Sequence, residues 1–481
     1  MHTDPVYESE TPYFRKLSQG QLSLLHSASL EILERTGVCM RHAEALALLG
    51  KAGAHLLEDG WVRIPARLVE WALRSAPKRI VGADRNGRRA VFLEGRNVFY
   101  GPGSDCPYVI DVRDGQRREG RLADIVEGVR VMDALPNIGF LMSFCMAHDV
   151  SQPTMDRRQM KAMLENSTKP ILFVTTDFPG CADAIEMAEL VAGGAEALRR
   201  NPLCACYINV TSPLVHNAES LDKLLFMADR QLPCTYNPVV LRGANGPVTP
   251  AGAVALANAG ELAGLVVSQL RNEGAPVILS GGTQDMLDMR TTGDVYAAPE
   301  NRVLCVELAH FYDMPVFGLG GCSDSQLPDE QAASEIALTL LTETLAGSHL
   351  IHDVGYLASG MTNSLESLVM ADELINWVRR FTQHVTVNEE TLALDLIHEA
   401  GPANAFMQSE HTRAHYREDW YPKVIERRHW DAWSTGGAQT FRERARARAL
   451  SLLESHVPEP LPEDLSLALD RVIERADERW L

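Results

Sequence analysis

Eight short apolar runs recur between residues 97 and 353, and each ends on small, polar or aromatic residues. They are NVFYG (97–101), IGFLMSF (138–144), PILFVTT (170–176), LCACYIN (203–209), PCTYN (233–237), PVILSG (276–281), PVFGL (315–319) and HLIHD (349–353). Between the runs, apolar residues return every three or four positions, which is the spacing of an amphipathic helix. Eight strands alternating with helices over about 280 residues predict a (β/α)8 barrel.

A doubly wound open sheet is the alternative fold, because strand order cannot be read from one sequence. Both folds place their chemistry just past the carboxyl ends of parallel strands. Functional residues are therefore expected at the ends of the eight runs, whichever of the two folds the chain adopts.

The chain has 481 residues, more than a barrel requires, so additions are expected on both sides. Ser18 and Gln21 form a capping-box pattern that predicts a helix near the N-terminus, and Asn86-Gly87 between apolar runs predicts a hairpin. A last helix is predicted from about Glu463. The predicted segments are an N-terminal helical extension with the hairpin (1–96), an α/β barrel (97–380) and a C-terminal helical extension (381–481).

Composition excludes several classes of protein. The net charge of −19 disfavours non-specific binding to nucleic acid, which requires a basic surface. The first twenty residues are polar and acidic, which predicts no signal peptide, and the absence of a long apolar run predicts no membrane span. Nine cysteines without paired spacing are typical of reduced, buried thiols. A cytoplasmic location follows as the expectation.

The run LCACYIN presents two different faces. Cys204 and Cys206 are two positions apart and would project to one side of a strand, whereas Tyr207 and Asn209 would project to the other. Asn209 ends the strand, so we expect the odd-numbered side chains to face the barrel interior and the thiols to face the helices. Buried thiols that behave as small apolar groups are the favoured interpretation.

Other chemical signatures are weak or missing. His411 and His415 have the i, i+4 spacing of a zinc-binding helix, but the HExxH pattern and its catalytic glutamate are lacking. No metal of the protein's own is therefore expected. Gly318 to Gly321 follow a strand without forming a phosphate-binding fingerprint, and no GxSxG or P-loop pattern occurs. The chemistry therefore depends more on a positioned substrate than on a nucleophilic side chain.

Aromatic residues stand at or near six of the eight strand ends, although only 6% of the chain is aromatic. They are Tyr100, Phe144, Tyr207, Tyr236, Phe317 and Tyr356. Ring faces attract a cation by roughly 0.5 to 2 kcal/mol each. Ordinary packing in the upper layer of the barrel explains any one ring, but the set favours a quaternary ammonium ligand.

Several blocks resemble the trimethylamine methyltransferase (MttB) superfamily over nearly the whole chain. They are LSQGQLSLLHSASLEILERTGV (17–38), PYVIDVRDGQRREG (107–120), PVFGLGGCSDSQLPDEQAASE (315–335), HLIHDVGYLASG (349–360) and IHEAGPANAFMQSEHTRAHYRED (397–419). The archaeal trimethylamine enzymes carry pyrrolysine, and this chain has only standard residues. The resemblance therefore implies the branch that demethylates quaternary amines such as glycine betaine, giving dimethylglycine. The methyl group would pass to cob(I)alamin carried by a separate corrinoid protein.

The resemblance and the strand ends together predict the residues of the site. The substrate would be bound by Tyr100, Phe144, His148, Tyr207, Asn209, Tyr236, Asn237, Phe317, His352, Asp353 and Tyr356. The glycine-rich edges that would let the corrinoid approach are Gly281, Gly282, Gly320 and Gly321, with Ser323 and Asp324 beside them. A substrate carboxylate would pair with His148, Asn209, Asn237, His352, Arg242 or Arg290, and the sequence does not choose among these six.

Two other functions remain open at this point. A zinc-dependent barrel methyltransferase for thiol or methanol substrates would require a metal bound by the cysteines or histidines named above. A non-catalytic protein would use the same aromatic residues to bind a quaternary amine. The chain is also expected to form a homo-oligomer, with the charged helical tail at 443–448 as a possible contact.

Overall fold

The computed structural model of the chain describes residues 12–280, 283–403 and 405–480. Seven strands form one parallel sheet at its centre. These are Phe99–Tyr100, Ile171–Val174, Cys204–Asn209, Cys234–Asn237, Val277–Ser280, Val316–Leu319 and Leu350–His352. Each coincides with one of the apolar runs of the sequence, so seven of the eight predicted strands are confirmed.

The sheet closes on itself. The first strand pairs with the last, Phe99 with Leu350 and Tyr100 with Ile351. The remaining run makes single parallel bridges to both neighbours, from Ile138 to Tyr100 and from Leu141 to Ile171, so residues 138–141 complete the ring. An open sheet would have two free edges, and therefore the predicted (β/α)8 barrel is confirmed.

Eight helices surround the barrel, one after each strand. They are Leu122–Ala134, Met155–Asn166, Phe178–Ala192, Ala218–Arg230, Pro250–Arg271, Arg302–Phe311, Glu330–Ala346 and Leu365–Thr382, and the short helix Ala195–Arg200 follows the third. Several starts are set by side chains that accept N–H bonds of the first turn, as at Asp177, Asp329 and Ser364. The helix Pro250–Arg271 is long and apolar enough to span a membrane, yet 83% of its apolar window is buried, as in a core helix.

The N-terminal extension contains the predicted elements. Its helices are Gln19–Glu31, which continues into a π-helical turn at Ile32–Thr36, Ala43–Lys51 and Ala66–Ser75, and a 3₁₀ turn lies at Glu58–Gly60. Its strands are Val38–Met40, His55–Leu56 and Trp61–Arg63. The strand Val38–Met40 pairs with Val215–His216. The Ser18 hydroxyl and the Gln21 amide form the predicted capping box. Strands Ile80–Ala83 and Arg89–Leu93 form the predicted hairpin, with Gly87 at a φ of 76° in its turn.

The C-terminal extension is mainly helical. Its helices are Glu389–Leu392, Leu394–Ala400, Glu410–His415, Trp430–Thr435, Phe441–Ser455 and Glu463–Glu478, with 3₁₀ turns at Gly401–Ala403 and Ala405–Gln408. The helix Phe441–Ser455 packs on the barrel helix Leu365–Thr382, and the last helix packs on two others. The last helix begins where the sequence predicted. The division of the chain into three segments stays a prediction.

Short strands and turns in the loops cover the upper end of the barrel. They are Tyr108–Ile110, Arg117–Glu119, Tyr356–Leu357 and Thr362–Ser364 in one sheet, Val240–Arg242, Thr283–Asp288 and Gly293–Asp294 in another, and a 3₁₀ turn at Gln152–Thr154. The lower interior is instead filled by apolar side chains, among them Ile80, Val91, Leu93, Phe140 and Ile278. Burial of each such side chain contributes about 1.5 to 3 kcal/mol.

Candidate active site

A cavity of about 180 Å³ lies at the carboxyl ends of the barrel strands. It is lined by Ser104, Asp105, Met142, Tyr207, Asn209, Asn237, Val239, Ser280, Tyr296, Arg302, Phe317, Gly318, Leu319, His352 and Asp353. The structure therefore brings together six predicted substrate residues: Tyr207, Asn209, Asn237, Phe317, His352 and Asp353.

Three rings form one wall of the cavity. The ring of Phe317 stacks on that of His352, with centroids 4.0 Å apart, and its edge meets Tyr207 at 5.4 Å. Tyr207 also lies 6.1 Å from His352. The three side chains come from adjacent or facing strand ends, where alternation turns odd-numbered Tyr207 and Phe317 inward. Aromatic rings of this kind attract a cation without a hydrogen bond.

Two carboxyl groups face the same space. Asp353 is buried, and its carboxylate accepts a short hydrogen bond from the hydroxyl of Tyr296. Burial raises the pKa of Asp353 to about 7. Asp105 is exposed towards the mouth. Its pKa is raised as well, first because the surrounding protein displaces water from the carboxyl group and second because Asp353 is negative. A bound cation would favour the ionised form of both groups.

The backbone at Asp353 is in the left-handed region, with a φ of 68°. Such a conformation costs a residue with a side chain of order 1 kcal/mol or more, and it recurs at functional sites. The loop after the first strand passes close by, since a Cβ on Gly103 would stand 2.2 Å from the Asp353 carboxylate. Only glycine fits there, so the local sequence is adapted to the position of this carboxylate.

His352 is neutral at physiological pH. Burial lowers its pKa to about 4. Its Nδ1 lies 2.6 Å from the carbonyl oxygen of Gly318, which only accepts hydrogen bonds, so we assign the proton to Nδ1. Nε2 then carries a lone pair and lies 3.3 Å from a carboxylate oxygen of Asp353. A neutral imidazole adds a ring to the wall without repelling a cation.

Arg302 brings a positive charge to the cavity, and the sequence analysis missed it. Its side chain is buried, and its guanidinium carbon lies 5.1 Å from the centre of the Tyr296 ring. This charge also acts on the pKa of its neighbours. Burial is the main cause of the lowered pKa of His352, and Arg302 adds a smaller contribution, after the opposing effects of Gly318 and Asp105. Burial raises the pKa of Asp353, and the Tyr296 hydrogen bond and then Arg302 partly offset this rise. One small cavity therefore holds acidic groups and a fixed cation.

Asn237 contributes an acceptor. Its amide nitrogen donates to the carbonyl of Ile208 at 3.2 Å and to the hydroxyl of Thr235 at 2.8 Å. Its amide oxygen is buried and has no hydrogen-bond partner among the described residues. An unpaired buried oxygen costs free energy unless a ligand covers it, and the polarised N-methyl hydrogens of a quaternary amine would do so.

Tyr356 supports the site from behind. Its hydroxyl accepts the backbone N–H of Asp105 and donates to the Asp105 carboxylate, both at 3.0 Å. It is buried and is not among the residues that line the cavity. In this structure it positions Asp105, and its contact with substrate stays a prediction.

Three predicted aromatic residues lie outside the cavity. The Tyr100 hydroxyl bonds to Thr344 at 2.8 Å, and the Tyr236 hydroxyl bonds to His216 at 2.7 Å, both on the outer side of the barrel. Phe144 has a φ of 72°, and its ring packs against a barrel helix. Adjacent strand residues point to opposite faces, so Asn237 inside requires Tyr236 outside. These three residues therefore do not line this cavity, and their contact with substrate stays a prediction.

The candidate carboxylate partners from the loops are also displaced. His148 is exposed, and it does not line the cavity. Arg242 and Arg290 border a different cleft of about 640 Å³, where Asp288 holds Arg290 at 3.0 Å. Neither of these two arginines lines the first cavity, whose lining contains Arg302 instead.

The glycine-rich loop after the seventh strand is covered, not open. Gly320 and Gly321 pack against the helix Glu330–Ala346, and Ser323 is buried with its hydroxyl on Glu335. These three residues are therefore buried, and their contact with a corrinoid stays a prediction. Asp324 instead accepts the N–H groups of Tyr296 and the residue after it, at 2.9 and 3.1 Å, and so holds the loop that carries Tyr296. Gly281 and Gly282 lie outside the described residues.

The mouth widens on another side. A second cavity of about 410 Å³ shares Ser104, Asp105 and Asn209 with the first. The rest of its lining mixes polar side chains, among them Gln159, Thr175, Asn217 and Lys223, with apolar ones such as Met146 and Met155. A large molecule with hydrogen-bonding edges could therefore reach the first cavity from this side.

The cysteine and histidine motifs lie away from the cavity. The thiol of Cys206 lies 3.8 Å from that of Cys181 on the helix side, as the strand alternation predicted. His415 bonds to Glu418 in the C-terminal extension. Within residues 12–280, 283–403 and 405–480, no three His, Cys, Asp or Glu side chains come together in a way that could hold a metal ion.

The fold and the cavity define an α/β-barrel protein with a small charged and aromatic binding site at the mouth. The particular family follows from comparison with known proteins. The family model described as trimethylamine methyltransferase (MTTB) matches residues 2–480, and the chain belongs to this family. The resemblance seen in the sequence is thus confirmed, and so is the prediction of a methyltransferase.

Named relatives extend over almost the whole chain. A trimethylamine methyltransferase MttB of Desulfitobacterium hafniense (strain DSM 10664 / DCB-2) is 30% identical, over 96% of this chain and 94% of its own length. A glycine betaine methyltransferase of Desulfitobacterium hafniense (strain Y51) is 28% identical, over 96% and 97%. Among solved structures, the Methanosarcina barkeri monomethylamine methyltransferase (MtmB) matches with a TM-score of 0.49 and 11% identity, over 94% of this chain and 90% of that one.

Proposed function

We propose that the protein transfers a methyl group from a quaternary amine that carries a carboxylate, with glycine betaine as the best fit, to the Co(I) corrinoid of a partner protein. The products are dimethylglycine and a methylated corrinoid. The observation that carries the proposal is the pairing of opposite charges in one cavity of about 180 Å³, with Asp105 and Asp353 facing it together with Arg302.

The cationic head of the substrate fits the acidic and aromatic side. Tyr207, Phe317 and His352 offer ring faces, and Asp353 offers negative charge without a competing N–H donor. Each ring is worth roughly 0.5 to 2 kcal/mol to a cation. A trimethylammonium group has no N–H to donate, so it is bound by aromatic rings and negative charge rather than by hydrogen-bond acceptors.

The carboxylate fits the side of Arg302. A guanidinium binds a carboxylate with two parallel hydrogen bonds, which fixes both position and direction. A cationic substrate without a carboxylate would place its positive charge in the same small cavity as the buried guanidinium of Arg302. This supports a zwitterionic substrate over an amine that carries no acid group, as in the name of one relative, glycine betaine methyltransferase.

The proposed reaction requires no side chain that acts as a nucleophile or as an acid. Reduced corrinoid, when its partner protein delivers it, supplies a strong nucleophile for the methyl carbon. A quaternary ammonium leaves as a neutral tertiary amine, so no residue has to protonate the leaving group. The rings and Arg302 hold the C–N bond in one direction, and alignment of this kind is worth several kcal/mol of the barrier. The second cavity has apolar lining residues such as Met146 and Met155 for the flat ring system of a corrinoid, and Gln159, Asn217 and Lys223 for the amides at its edge.

The test is methyl transfer with purified protein and cob(I)alamin, followed by the absorbance of methylcobalamin. Glycine betaine, carnitine, proline betaine, choline and trimethylamine are compared at equal concentration. We expect the highest kcat/KM with glycine betaine, and dimethylglycine as the second product by mass spectrometry.

Transfer from trimethylamine or choline with a higher kcat/KM than from any carboxylate-bearing amine would contradict the proposed substrate class. No methylcobalamin from any of the five, also with corrinoid proteins added, would contradict the proposed reaction. Tight binding of betaine without transfer would instead favour a non-catalytic binding protein. Stoichiometric zinc in the active protein would favour the zinc-dependent alternative.

A further inference from the structure

Three of the described residues line both cavities at the mouth of the barrel. They are Ser104, Asp105 and Asn209, and Asp105 is the charged one. In the proposed function the amine occupies the cavity of about 180 Å³, and the corrinoid approaches through the cavity of about 410 Å³. The methyl group then passes from one cavity to the other, and a side chain that lines both stands beside its path. Asp353 lines the first cavity but not the second, so the two acids have different positions relative to this path.

The Asp105 carboxylate is held in place by a buried side chain. The hydroxyl of Tyr356 accepts the Asp105 N–H and donates to Oδ1 of the same residue, both at 3.0 Å. A Cβ on Gly103 would stand 2.1 Å from this hydroxyl, so glycine at that position leaves room for it. A charged group fixed in this way needs little reorganisation when charge develops beside it. The carboxylate of Asp105 is therefore preorganised at the passage between the cavities.

The negative charge of Asp105 remains available to a ligand. In the described part of the chain its carboxylate bonds to the Tyr356 hydroxyl, and no ion pair involves it. The two other acids that line the second cavity are engaged. Asp156 pairs with Arg157 at 2.8 Å, and Glu219 accepts a backbone N–H at 2.7 Å. Asp105 is therefore the acid at the mouth whose charge no basic side chain offsets.

The proposed reaction moves a positive charge from the first cavity to the second. The C–N bond breaks with its electron pair on nitrogen, the pair of Co(I) forms the Co–C bond, and no proton is transferred. The nitrogen begins with a positive charge and ends neutral, whereas the corrinoid gains that charge together with the methyl group. An attraction that weakens along this path slows the step, and one that is kept or strengthened accelerates it.

The two carboxylates respond differently to this movement. Asp353 faces the first cavity, so its attraction for the nitrogen is lost as the charge leaves. Asp105 faces both cavities, so its attraction is kept along the path. Asp105 is also exposed, and water screens its charge until a corrinoid covers the mouth. The field of Asp105 is therefore strongest at the moment of transfer.

We propose that Asp105 is a catalytic residue, which stabilises the positive charge on the methyl group as it passes from the amine to the corrinoid, whereas Asp353 stabilises the bound amine. The inference rests on the proposed methyl transfer and gives each acid a separate task. Tyr356 is a positioning residue, because it acts through the carboxylate of Asp105.

The first experiment separates kcat from KM in methyl transfer from glycine betaine to cob(I)alamin. Asp105→Asn is expected to lower kcat by at least about tenfold, because a preorganised charge is lost, and to leave KM within about threefold. Asp353→Asn should raise KM and leave kcat unchanged or higher. The matched control is Asp149→Asn, which removes an exposed acid in the loop after the second barrel strand that lines neither cavity. Its kcat and KM should equal those of the wild type.

Tyr356→Phe tests how Asp105 is held. The variant keeps the carboxylate but frees it, so kcat should fall by less than in Asp105→Asn. The double variant should be no slower than Asp105→Asn alone, because two residues that act through one group are not additive. An additive loss in the double variant would overturn the positioning role of Tyr356.

The second experiment measures binding without any corrinoid. Titration calorimetry compares glycine betaine with tert-butylacetate, in which carbon replaces the charged nitrogen, so the preference for glycine betaine reports the attraction for the cationic head. Asp353→Asn should reduce this preference by at least about tenfold, and Asp105→Asn by less than about threefold, because water screens an exposed carboxylate. Thermal unfolding checks that each variant is folded, and Asn at 105 can still accept the Tyr356 hydroxyl.

The outcomes separate two failures. A wild type that forms no methylcobalamin would contradict the proposed function and this inference with it. A wild type that transfers methyl groups, while Asp105→Asn keeps its kcat within about threefold, would overturn the inference alone. A loss of preference for glycine betaine in Asp105→Asn as large as in Asp353→Asn would also overturn it, since Asp105 would then serve binding. If Asp105→Asn does not fold, an unchanged kcat in Tyr356→Phe would overturn it instead.

Discussion

The two ends of the barrel are built from the same strands, yet they differ in polarity, in charge and in free volume. At the lower end the hairpin Ile80–Ala83 and Arg89–Leu93 enters an interior of apolar side chains, and a space of only about 40 Å³ remains. At the upper end the strands finish in a cavity of about 180 Å³ that holds two carboxyl groups, an arginine and a histidine. Three of the strands, Cys204–Asn209, Cys234–Asn237 and Leu350–His352, end on a polar side chain that lines this cavity.

The lower end stabilises the fold, whereas the upper end contains destabilising features that suit a binding site. Lower residues such as Phe140 and Ile278 are buried among apolar neighbours. Upper residues carry costs, since Asp353 has a left-handed backbone and a carboxyl group whose pKa is raised to about 7 by burial. Strain and buried charge are characteristic of sites where function and stability compete.

The largest effect is expected at the lower end. Phe140→Ala should lower the free energy of unfolding by about 3 to 5 kcal/mol, because it leaves a cavity among the side chains that fill the barrel. The KM for glycine betaine should stay within about twofold at a temperature where the variant is folded. Denaturant unfolding and initial rates of methyl transfer measure the two quantities. A large rise in KM would show that the two ends are coupled.

Asp353→Asn should have the opposite profile. Loss of the negative charge is expected to raise the KM for glycine betaine by about ten- to hundredfold, equivalent to about 1.4 to 2.7 kcal/mol. Stability at neutral pH should be unchanged or higher, because burial already disfavours the ionised carboxylate. Isothermal titration with glycine betaine and thermal unfolding test both points. A variant that binds as tightly as the wild type would remove Asp353 from the site.

The pH dependence follows from the same carboxyl group. Its pKa is raised from 3.8 to about 7 in the folded protein, so a cation binds the ionised form that predominates above pH 7. The apparent affinity for glycine betaine should therefore weaken by up to about tenfold per pH unit below 7 and level off above it. In wild type this dependence is visible by titration at several pH values, and in Asp353→Asn it should be reduced. A flat profile in the wild type would contradict the assignment.

The sign of the stability change is also fixed. A folded-state pKa above the unfolded value means that Asp353 stabilises the fold below about pH 4, and that this contribution is lost as the pH rises through about 7. Unfolding free energies of wild type and Asp353→Asn, measured from pH 4 to 8, should therefore move in favour of the variant as the pH rises. A constant difference between the two proteins would contradict the raised pKa.

The smallest effect is expected from a single ring. Tyr207→Leu should raise the KM for glycine betaine by about two- to tenfold, as expected when one ring face of roughly 0.5 to 1.4 kcal/mol is lost. Tyr236→Phe is the matched control, because Tyr236 lies at the next strand end but points to His216 outside the barrel. It should alter stability and leave KM unchanged. Equal changes in KM for both variants would argue against an inward aromatic wall.

The barrel could be predicted from the sequence because each of its strands and helices is marked by a pattern within its own residues. Each strand carries its own apolar run and each helix its own period, and eight repetitions leave few arrangements. Only the second run deviates, since 138–141 joins the ring through single bridges. Strand alternation also predicted the directions of Tyr207 and Asn209. The same rule, applied to Tyr236 and Asn237, would have shown that both cannot face the cavity.

The rest of the cavity comes from long-range placement. Tyr296 and Arg302 stand 16 and 22 residues beyond the end of their strand at Ser280, and nothing in their local sequence marks them. Their position depends on Asp324, which holds the loop by two backbone hydrogen bonds from another βα unit. Contacts of this kind are set by tertiary packing. For the same reason the cover over Gly320 and Gly321 could not be predicted.

The most direct test of the account is the effect of Arg302→Met on two substrates that differ in one group, glycine betaine and choline. Methyl transfer to cob(I)alamin is measured for both, with thermal unfolding as the control for folding. If Arg302 binds the carboxylate, kcat/KM for glycine betaine falls by at least about a hundredfold, while that for choline stays the same or rises. Equal losses for both substrates, or no loss for glycine betaine, would contradict the proposal that this cavity recognises a zwitterion.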